Sequence, residues 1–244
     1  MSAASETSVT VAPGAKKFGW SALVSASARY WRATGILLLI IVVNAALQAV
    51  LVSFEVIPFL NSVTFWVLAL VSLAILIVAA LLMATAALET AAGRISIRET
   101  IARATPNLGR FTLWILLWAL LVLLGVSLYT WPGLVILAIT PYLPLAAADG
   151  HRNPLKANFQ AIASRFGHYL EVVVFSCIIL GITRLLGALF NLLIFGAWAS
   201  FVTMFVSGLI ASWLAVAWAL VYRSTSVGSI DRGAVDPVDH GTAD

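Results

Sequence analysis

Charged residues are scarce in this sequence. Only 10% of its 244 residues are Asp, Glu, Lys or Arg, whereas 62% are hydrophobic, and the mean hydropathy is +1.04. A soluble domain has about 25% charged and roughly 45–50% apolar residues, so the composition excludes an ordinary soluble domain. Several apolar runs reach the length of about 18 residues that a membrane-crossing helix needs. The composition therefore predicts a multi-pass membrane protein.

Cysteine is almost absent, and the motifs of common enzymes are missing. The single cysteine, Cys177, excludes an intrachain disulfide and a cysteine metal cluster, and its apolar surroundings suit a small buried hydrophobe. The chain contains no His-Glu-x-x-His, no phosphate-cradling Gly-x-x-x-x-Gly-Lys loop and no Gly-x-Ser-x-Gly elbow. We therefore predict a protein that is not an enzyme and binds no cofactor or metal.

Two histidines, His151 and His168, are the residues most suggestive of chemistry. Asp149 and His151 could supply two metal ligands, but a zinc site needs more and no third candidate is near in sequence. Ser164 lies one helical turn before His168, yet nothing else in the chain supports a nucleophile. Polar packing is the favoured interpretation, and the role of the histidines is left open.

Six apolar segments are long enough to cross about 30 Å of hydrocarbon. They are about 33–54, 63–88, 111–129, 131–148, 169–194 and 197–222. The uncharged links at 129–133 and 190–196 are interpreted as hairpin turns, because one continuous helix would be too long for a bilayer. The predicted fold is an all-α integral membrane domain over 16–224, with six transmembrane helices as three hairpins. Segments 1–15 and 225–244 are predicted to be disordered tails.

The basic residues predict the orientation. Thirteen of the fourteen Lys and Arg residues flank the spans on one side, and the links at 55–62, 129–133 and 191–197 contain none. The positive-inside rule makes that side cytoplasmic, with both termini inside a cell (plasma or inner) membrane. The net charge of +4 then reflects this bias, and the absence of a basic aromatic-rich patch elsewhere predicts no nucleic-acid partner.

Two connections on the predicted cytoplasmic side resemble each other. Each has apolar residues spaced 4, 3 and 4 apart, offset by 58 positions: Ile97, Ile101, Ala104 and Leu108, then Leu155, Phe159, Ile162 and Phe166. This spacing is one face of a helix, with Asn158 and the charged residues turned away from it. Ser96 and Asn153 are expected N-caps. We predict a short interfacial amphipathic helix before each hairpin, with Leu23, Ala26 and Tyr30 marking a third before span one.

The same region carries a family resemblance. The run Pro141-Tyr-Leu-Pro-Leu-Ala-Ala-Ala-Asp149-Gly-His, then Asn153-Pro-Leu-Lys-Ala157 and Ser164-Arg-Phe-Gly-His168, resembles bacterial six-span proteins. These are the YciC-like proteins and the membrane domain attached to some glycerophosphoryl diester phosphodiesterases. The resemblance covers roughly 90–225 and implies an integral membrane domain. It does not imply phosphodiesterase activity, because the chain has no room for that soluble catalytic barrel.

Polar residues inside the spans are the remaining candidate sites. Arg184 lies about 22 Å into the fifth span, and Glu55 just follows the first. We expect either an ion pair between them or an Arg184 side chain that reaches the outer headgroups. Asn44 and Gln48, one turn apart, are expected to hydrogen-bond between helices or to line a polar cavity.

Two further patterns concern helix packing. Three acidic residues at the cytoplasmic ends of spans are expected to pair with nearby arginines: Glu89, Asp149 and Glu171. Small residues at Ser207-x-x-x-Ala211 and Gly208-x-x-x-Ser212 allow close helix approach, within the chain or in a dimer.

These features favour a non-catalytic membrane protein that acts as an accessory, scaffold or assembly factor for an envelope or transport complex. Its expected partners are membrane lipids and a protein of such a complex. The alternative is the membrane component of a small-solute or lipid transporter, including a permease or immunity module. A lipid-modifying enzyme ranks third, because the spans lack paired carboxylates or histidines.

Overall fold

The computed structural model describes residues 20–53, 62–93, 96–128, 130–193 and 196–225. Within these ranges the chain forms helices and no strands. The helices are α1 Trp20–Val52, α2 Ser62–Ala91, α3 Ile97–Ala104, α4 Leu108–Leu128, α5 Thr130–Ile139, α6 Leu143–Ala148, α7 Pro154–Ser164, α8 Phe166–Leu193 and α9 Gly196–Arg223. A single 3₁₀ turn, Thr105–Asn107, joins α3 to α4. The predicted disordered tails lie almost entirely outside the described residues.

Five stretches of the described chain are long and apolar enough to cross a membrane. They are Ala26–Leu51, Val63–Ala91, Ile97–Leu128, Phe166–Leu189 and Trp198–Arg223. Their leucines and valines face outward in large numbers; Leu113, Leu128 and Leu185 are each more than three-fifths exposed. Such an apolar surface is unfavourable in water and suits lipid. The chain is therefore a multi-pass membrane protein.

The predicted fourth span, 131–148, is not one helix. It divides into α5 and α6 at Thr140–Tyr142, where the chain turns before helix resumes at Leu143. Pro141 explains the division, because proline has no N–H to donate and its ring displaces the carbonyl four residues earlier. The carbonyl of Ile136 accepts both the Thr140 N–H, at 3.1 Å, and the Thr140 hydroxyl, at 2.5 Å, so the helical hydrogen bonding continues up to Thr140.

Of the three predicted short helices, two are present as separate helices. The one expected before span one is wrong, because α1 is a single helix that includes the predicted residues 23–30. No residue there breaks the helix, so the short segment and the span merge. The other two are α3 and α7. Their expected N-caps are confirmed: Ser96 accepts from the N–H of Glu99, at 3.4 Å, and Asn153 from that of Lys156, at 3.1 Å.

The buried core lies at the end of the molecule where α3, α6 and α7 are found. Nearly all of α6 is buried, together with the last two turns of α2 and the last two turns of α9. Alanines dominate these surfaces, and residues 84–91 of α2 contain four of them in the core. Small side chains let helix backbones approach closely, which is how helices associate where lipid removes the hydrophobic driving force.

Helices α1 and α9 pack side by side along most of their length. A Cβ placed on Gly208 would lie 2.7 Å from Cγ2 of Ile41, so any larger residue would require the Ile41 side chain to shift at this crossing. Near it, the buried Tyr30 and Ser212 hydroxyls hydrogen-bond at 3.0 Å. Of the two expectations for the small-residue stripe, contact within the chain is therefore the one that these residues show.

Helices α4 and α5 form a second close pair. A Cβ on Gly125 would lie 2.8 Å from the backbone nitrogen of Gly133, so the two helices touch backbone to backbone there. Pro132 and Gly133, which were expected in a hairpin turn at 129–133, belong to α5, and Tyr129 lies outside the described residues. Likewise Asn191 belongs to α8, and the link to α9 falls at 194–195, also outside the described residues.

Candidate functional site

A buried asparagine bridges the break between α5 and α6. The Asn158 side chain on α7 is completely buried. Its Oδ1 accepts the N–H of Tyr142, at 2.9 Å, and its Nδ2 donates to the carbonyl of Ile139, at 2.8 Å. These are backbone groups on either side of Pro141 that a continuous helix would have paired. One side chain thus replaces two lost helical hydrogen bonds.

Asn158 turns away from the apolar stripe of α7, as expected, and it faces the protein. The buried side of helix α7 carries its smaller residues and one amide: Pro154, Ala157, Ala161 and Asn158. The large apolar residues of α7 would hold the backbones apart, so close contact with α6 requires the small residues and the amide. The sequence pattern located the apolar stripe of α7 correctly, but it did not identify the side of the helix that packs against the protein.

The apolar stripes of α3 and α7 face outward from the helix bundle. Most of the residues predicted to form these faces are 39–59% exposed, and Ile162 is half-buried; the exposed ones are Ile97, Ile101, Leu108, Leu155, Phe159 and Phe166. Ala104, in register with them, is buried. Two short helices therefore carry unpaired apolar faces at the same end of the molecule.

Two more side chains bond to the helix break. The indole N–H of Trp118, on α4, donates to the hydroxyl of Thr140, at 2.7 Å. The Tyr169 hydroxyl, on α8, donates to the carbonyl of Ala138, at 2.6 Å. With Asn158, three helices supply polar groups to this one interruption. Sequence reasoning missed all three; the available signal was Pro141 in the middle of a predicted span, which frees backbone groups that must find partners.

An ion pair joins the end of α6 to the end of α9. Asp149 Oδ1 lies 3.1 Å from an Arg223 guanidinium nitrogen, and both side chains are under 10% exposed. The imidazole Nε2 of His151 lies 3.8 Å from Asp149 Oδ2, and its ring meets the edge of the Tyr222 ring. His151 therefore sits beside a paired carboxylate. Across the described residues, the acidic, cysteine and histidine side chains form no group of three that could hold a metal ion.

Three other arginines bind acceptors on the protein at the same end. Arg103 pairs with the buried Glu89, and Arg29 donates to the carbonyl of Ala91. Arg110 donates to the carbonyl of Gly150 and, at 3.2 Å, to Oδ1 of Asn107. The expected pairing of Glu89 and Asp149 with arginines is confirmed, whereas Glu171 is exposed.

A glycine makes the loop after α6 possible. Gly150 has a φ of +90°, which side chains rarely adopt, and its carbonyl points to Arg110. The Asn107 amide also donates to the carbonyl of Ala148, at 3.3 Å. The 3₁₀ turn and the start of α4 therefore hold the carbonyl of Ala148, at the end of α6, and that of Gly150 in the loop after it.

Gln48 and Asn44, one turn apart on α1, differ in their surroundings. Gln48 is 5% exposed and forms a reciprocal pair with Ser72 of α2: its Nε2 donates to the Ser72 carbonyl, at 3.2 Å, and its Oε1 accepts the Ser72 hydroxyl, at 2.7 Å. Asn44 lines a groove instead, and its enclosed Oδ1 has no donor in the described part of the chain. Only Gln48 therefore connects two helices.

The groove beside Asn44 has a volume of about 450 Å³. Helices α1, α2 and α3 form its walls, and nearly all of its lining is aliphatic. It is an apolar cleft with one amide in it, and it does not have the converging polar groups of a hydrophilic solute site.

The predicted Glu55–Arg184 pair lies outside the described residues. Glu55 belongs to the undescribed stretch 54–61, and only the backbone of Arg184, within α8, is described. The pair and its alternative therefore both stay predictions.

These features define a class of protein: a helical, multi-pass membrane protein whose polar residues bind one another at the helix ends. Comparison with protein-family models, with characterised proteins and with solved structures gives no match to this chain. Its role must be inferred from its own residues.

The bridge at the helix break predicts a specific loss of stability. Asn158→Leu leaves the Tyr142 N–H and the Ile139 carbonyl buried without partners, at about 1–3 kcal/mol each. We expect a clear fall in the thermal unfolding midpoint in mild detergent. Gln160→Leu, at an exposed position of the same helix, is the matched control and should change the midpoint little. Equal effects of the two variants would contradict the bridge.

The neighbouring amides of α1 predict opposite outcomes for the same substitution. Gln48→Leu breaks the reciprocal pair and leaves the Ser72 hydroxyl without its acceptor on α1. It should therefore destabilise the α1–α2 contact by about 1–2 kcal/mol. Asn44→Leu removes an enclosed oxygen without a donor and should leave stability unchanged or higher. Thermal unfolding of both variants in one detergent checks this contrast, and a larger loss for Asn44→Leu would refute it.

Proposed function

We propose that this protein is a non-catalytic accessory or scaffold of a membrane complex. The observation that carries the proposal is the use of its polar groups. In the described residues, the buried Asn158 amide pairs the backbone at one helix break, the buried Gln48 amide joins α1 to α2, and two ion pairs with buried carboxylates hold helix ends. They do not converge on a space where a substrate could react. A rigid polar end with a wide apolar surface suits a protein that holds others in a membrane.

The proposed topology has six crossings in three hairpins, with α5 and α6 together as the fourth. Residues 130–148 rise about 28 Å at helical spacing, close to the roughly 30 Å of hydrocarbon. A broken crossing is tolerated when the protein itself pairs the freed backbone groups, as Asn158 does here. Four tryptophans near span ends support these limits, because Trp31, Trp66, Trp131 and Trp198 are 64–74% exposed.

The proposed location is the plasma or inner membrane, with both termini cytoplasmic. The arginines that flank the helices lie at the end where α3 and α7 are found, which supports the positive-inside orientation. In this orientation the outward apolar stripes of α3 and α7 lie in the cytoplasmic headgroup layer. Membership of the YciC-like group is part of the proposal; the break at Pro141 and the cap at Asn153 fall inside the residues that carry the resemblance.

A transporter component is the second candidate function. The observation that favours it is the discontinuous crossing α5–α6, since transporters often bind substrates at interrupted helices. The groups freed at this interruption are paired by Asn158, Trp118 and Tyr169, which favours the scaffold.

Reporter fusions test the proposed topology. A dual reporter of alkaline phosphatase and a fluorescent protein is fused after chosen residues. After residue 58, 130 or 194 it should show phosphatase activity, which requires the outer side of the membrane. After residue 104 or 160 the reporter should instead fluoresce in the cytoplasm, because these positions lie in or beside the basic connections. A cytoplasmic signal after residue 130 would eliminate the crossing by α5 and α6, since α4 would then not reach the other face.

Affinity purification of the tagged full chain in mild detergent tests the function. We expect a membrane protein at fixed stoichiometry. A variant with Leu155→Ser and Phe159→Ser, which removes the outward apolar stripe of α7, should lose that partner, whereas Lys156→Ser and Gln160→Ser on the same helix should keep it. Purified protein that has no partner and moves a solute across liposomes would replace the scaffold with a transporter.

A further inference from the structure

The groove between α1, α2 and α3 is suited to an apolar chain. Ten aliphatic side chains of α1 and α2 line it, and Asn44 and Thr100 are the polar residues of the lining. The Thr100 hydroxyl donates its hydrogen bond to the carbonyl of Ser96, at 3.0 Å, so that hydrogen is not available to a ligand. Leu39, Val43 and Leu47 are 42–51% exposed, which shows that the groove opens on the outer surface of the helices.

The length of the groove matches half of a bilayer. Its α1 wall extends from Ile36 to Leu47, which is about 16 Å at 1.5 Å per residue. Half of a hydrocarbon core is roughly 15 Å. Helix α3 closes the Ile36 end, which is also where Arg29 binds the last turn of α2. The groove therefore extends from one headgroup layer to the bilayer centre, the depth of a single leaflet.

Two exposed arginines are neighbours, along their helices, of residues that line the closed end. Arg32 precedes Ile36 by one turn on the same face of α1, and Arg98 follows Ile97 on α3. Both are exposed, and neither has an acceptor or an acidic partner in the described part of the chain. Their neighbours Arg29 and Arg103 do bind protein acceptors. Charge is thus left available at the headgroup level of the groove.

We propose that the groove holds one acyl chain of an anionic phospholipid whose phosphate binds Arg32 and Arg98. The apolar walls accommodate the tail, and the two guanidinium groups complement the negative headgroup. A zwitterionic lipid offers the same tail but a weaker net attraction to the two cations. The inference rests on the proposed orientation in one respect: that orientation makes the cytoplasmic leaflet the source of the lipid.

Native mass spectrometry of the full chain tests the site. The protein is released from nanodiscs that contain equal amounts of phosphatidylglycerol and phosphatidylcholine. We expect one phosphatidylglycerol to remain bound per protein after annular lipid has been removed. Equal retention of both lipids at no fixed number would mean annular lipid only, and would overturn the proposal.

Neighbouring alanines supply a matched pair of variants for the tail. Ala79 lines the groove, whereas Ala80 is exposed on α2 outside it. Ala79→Phe should fill the groove and abolish the retained lipid, and Ala80→Phe should keep it. Equal retention by the two variants would refute a lipid in this groove. Loss of a dimer in Ala79→Phe with unchanged lipid content would place a second copy there and would also overturn the proposal.

Charge variants test the headgroup and do not depend on repacking the helices. Arg32→Gln with Arg98→Gln should lower phosphatidylglycerol retention about thirtyfold, since each basic residue near an anionic surface contributes about fivefold. Arg152→Gln with Arg165→Gln removes the same charge from two other exposed positions and should change retention little. An equal loss in the second pair would reduce the effect to net charge and refute the site. These lipid counts are independent of protein partners, so they stand or fall separately from the scaffold role.

Discussion

Backbone hydrogen bonding in the absence of water is the constraint on which this structure depends. A buried N–H or carbonyl without a partner costs several kcal/mol, so a helix that stops where water is excluded must find partners on the protein. Pro141 stops α5, and Asn158 provides both a donor and an acceptor for the freed groups. This requirement brings α7 against α6 and explains why the small face of α7 is buried. The packing of α6 and α7 in the buried core therefore follows from the need to pair these backbone groups.

The charged residues divide into two groups with different surroundings. Four arginines bind carboxylates or terminal carbonyls at helix ends: Arg29, Arg103, Arg110 and Arg223. The pairs are largely buried on the acidic side, so removal of one partner would strand a charge in a region of low dielectric. Arg32 and Arg98 are exposed. The first group joins helices, and the second is the pair that we propose for a lipid phosphate.

The helical class, five of the long apolar helices and two of the short ones could be predicted from the sequence, because hydropathy and the 3.6-residue period depend on local composition. The caps at Ser96 and Asn153 are equally local. The division of 131–148 was available in principle from Pro141, but proline inside a membrane helix is often tolerated, and its outcome depends on neighbouring groups. The separate helix before span one was expected from a weak match, and the continuous α1 replaced it because nothing in that stretch ends a helix.

Contacts between residues far apart in the chain could not be predicted from the sequence. The pattern on α7 identified the stripe of Leu155 and Phe159, yet a period cannot say whether a stripe faces the protein or the lipid when both are apolar. Gln48 and Asn44 are similar residues one turn apart, and only the position of Ser72 separates a helix contact from a groove lining. The sequence by itself determined a membrane-embedded helical chain with its charges gathered at the helix ends, because burial in lipid selects composition directly. The tertiary structure alone decided which polar groups meet, because hydrogen bonding depends on distances that chain order does not specify.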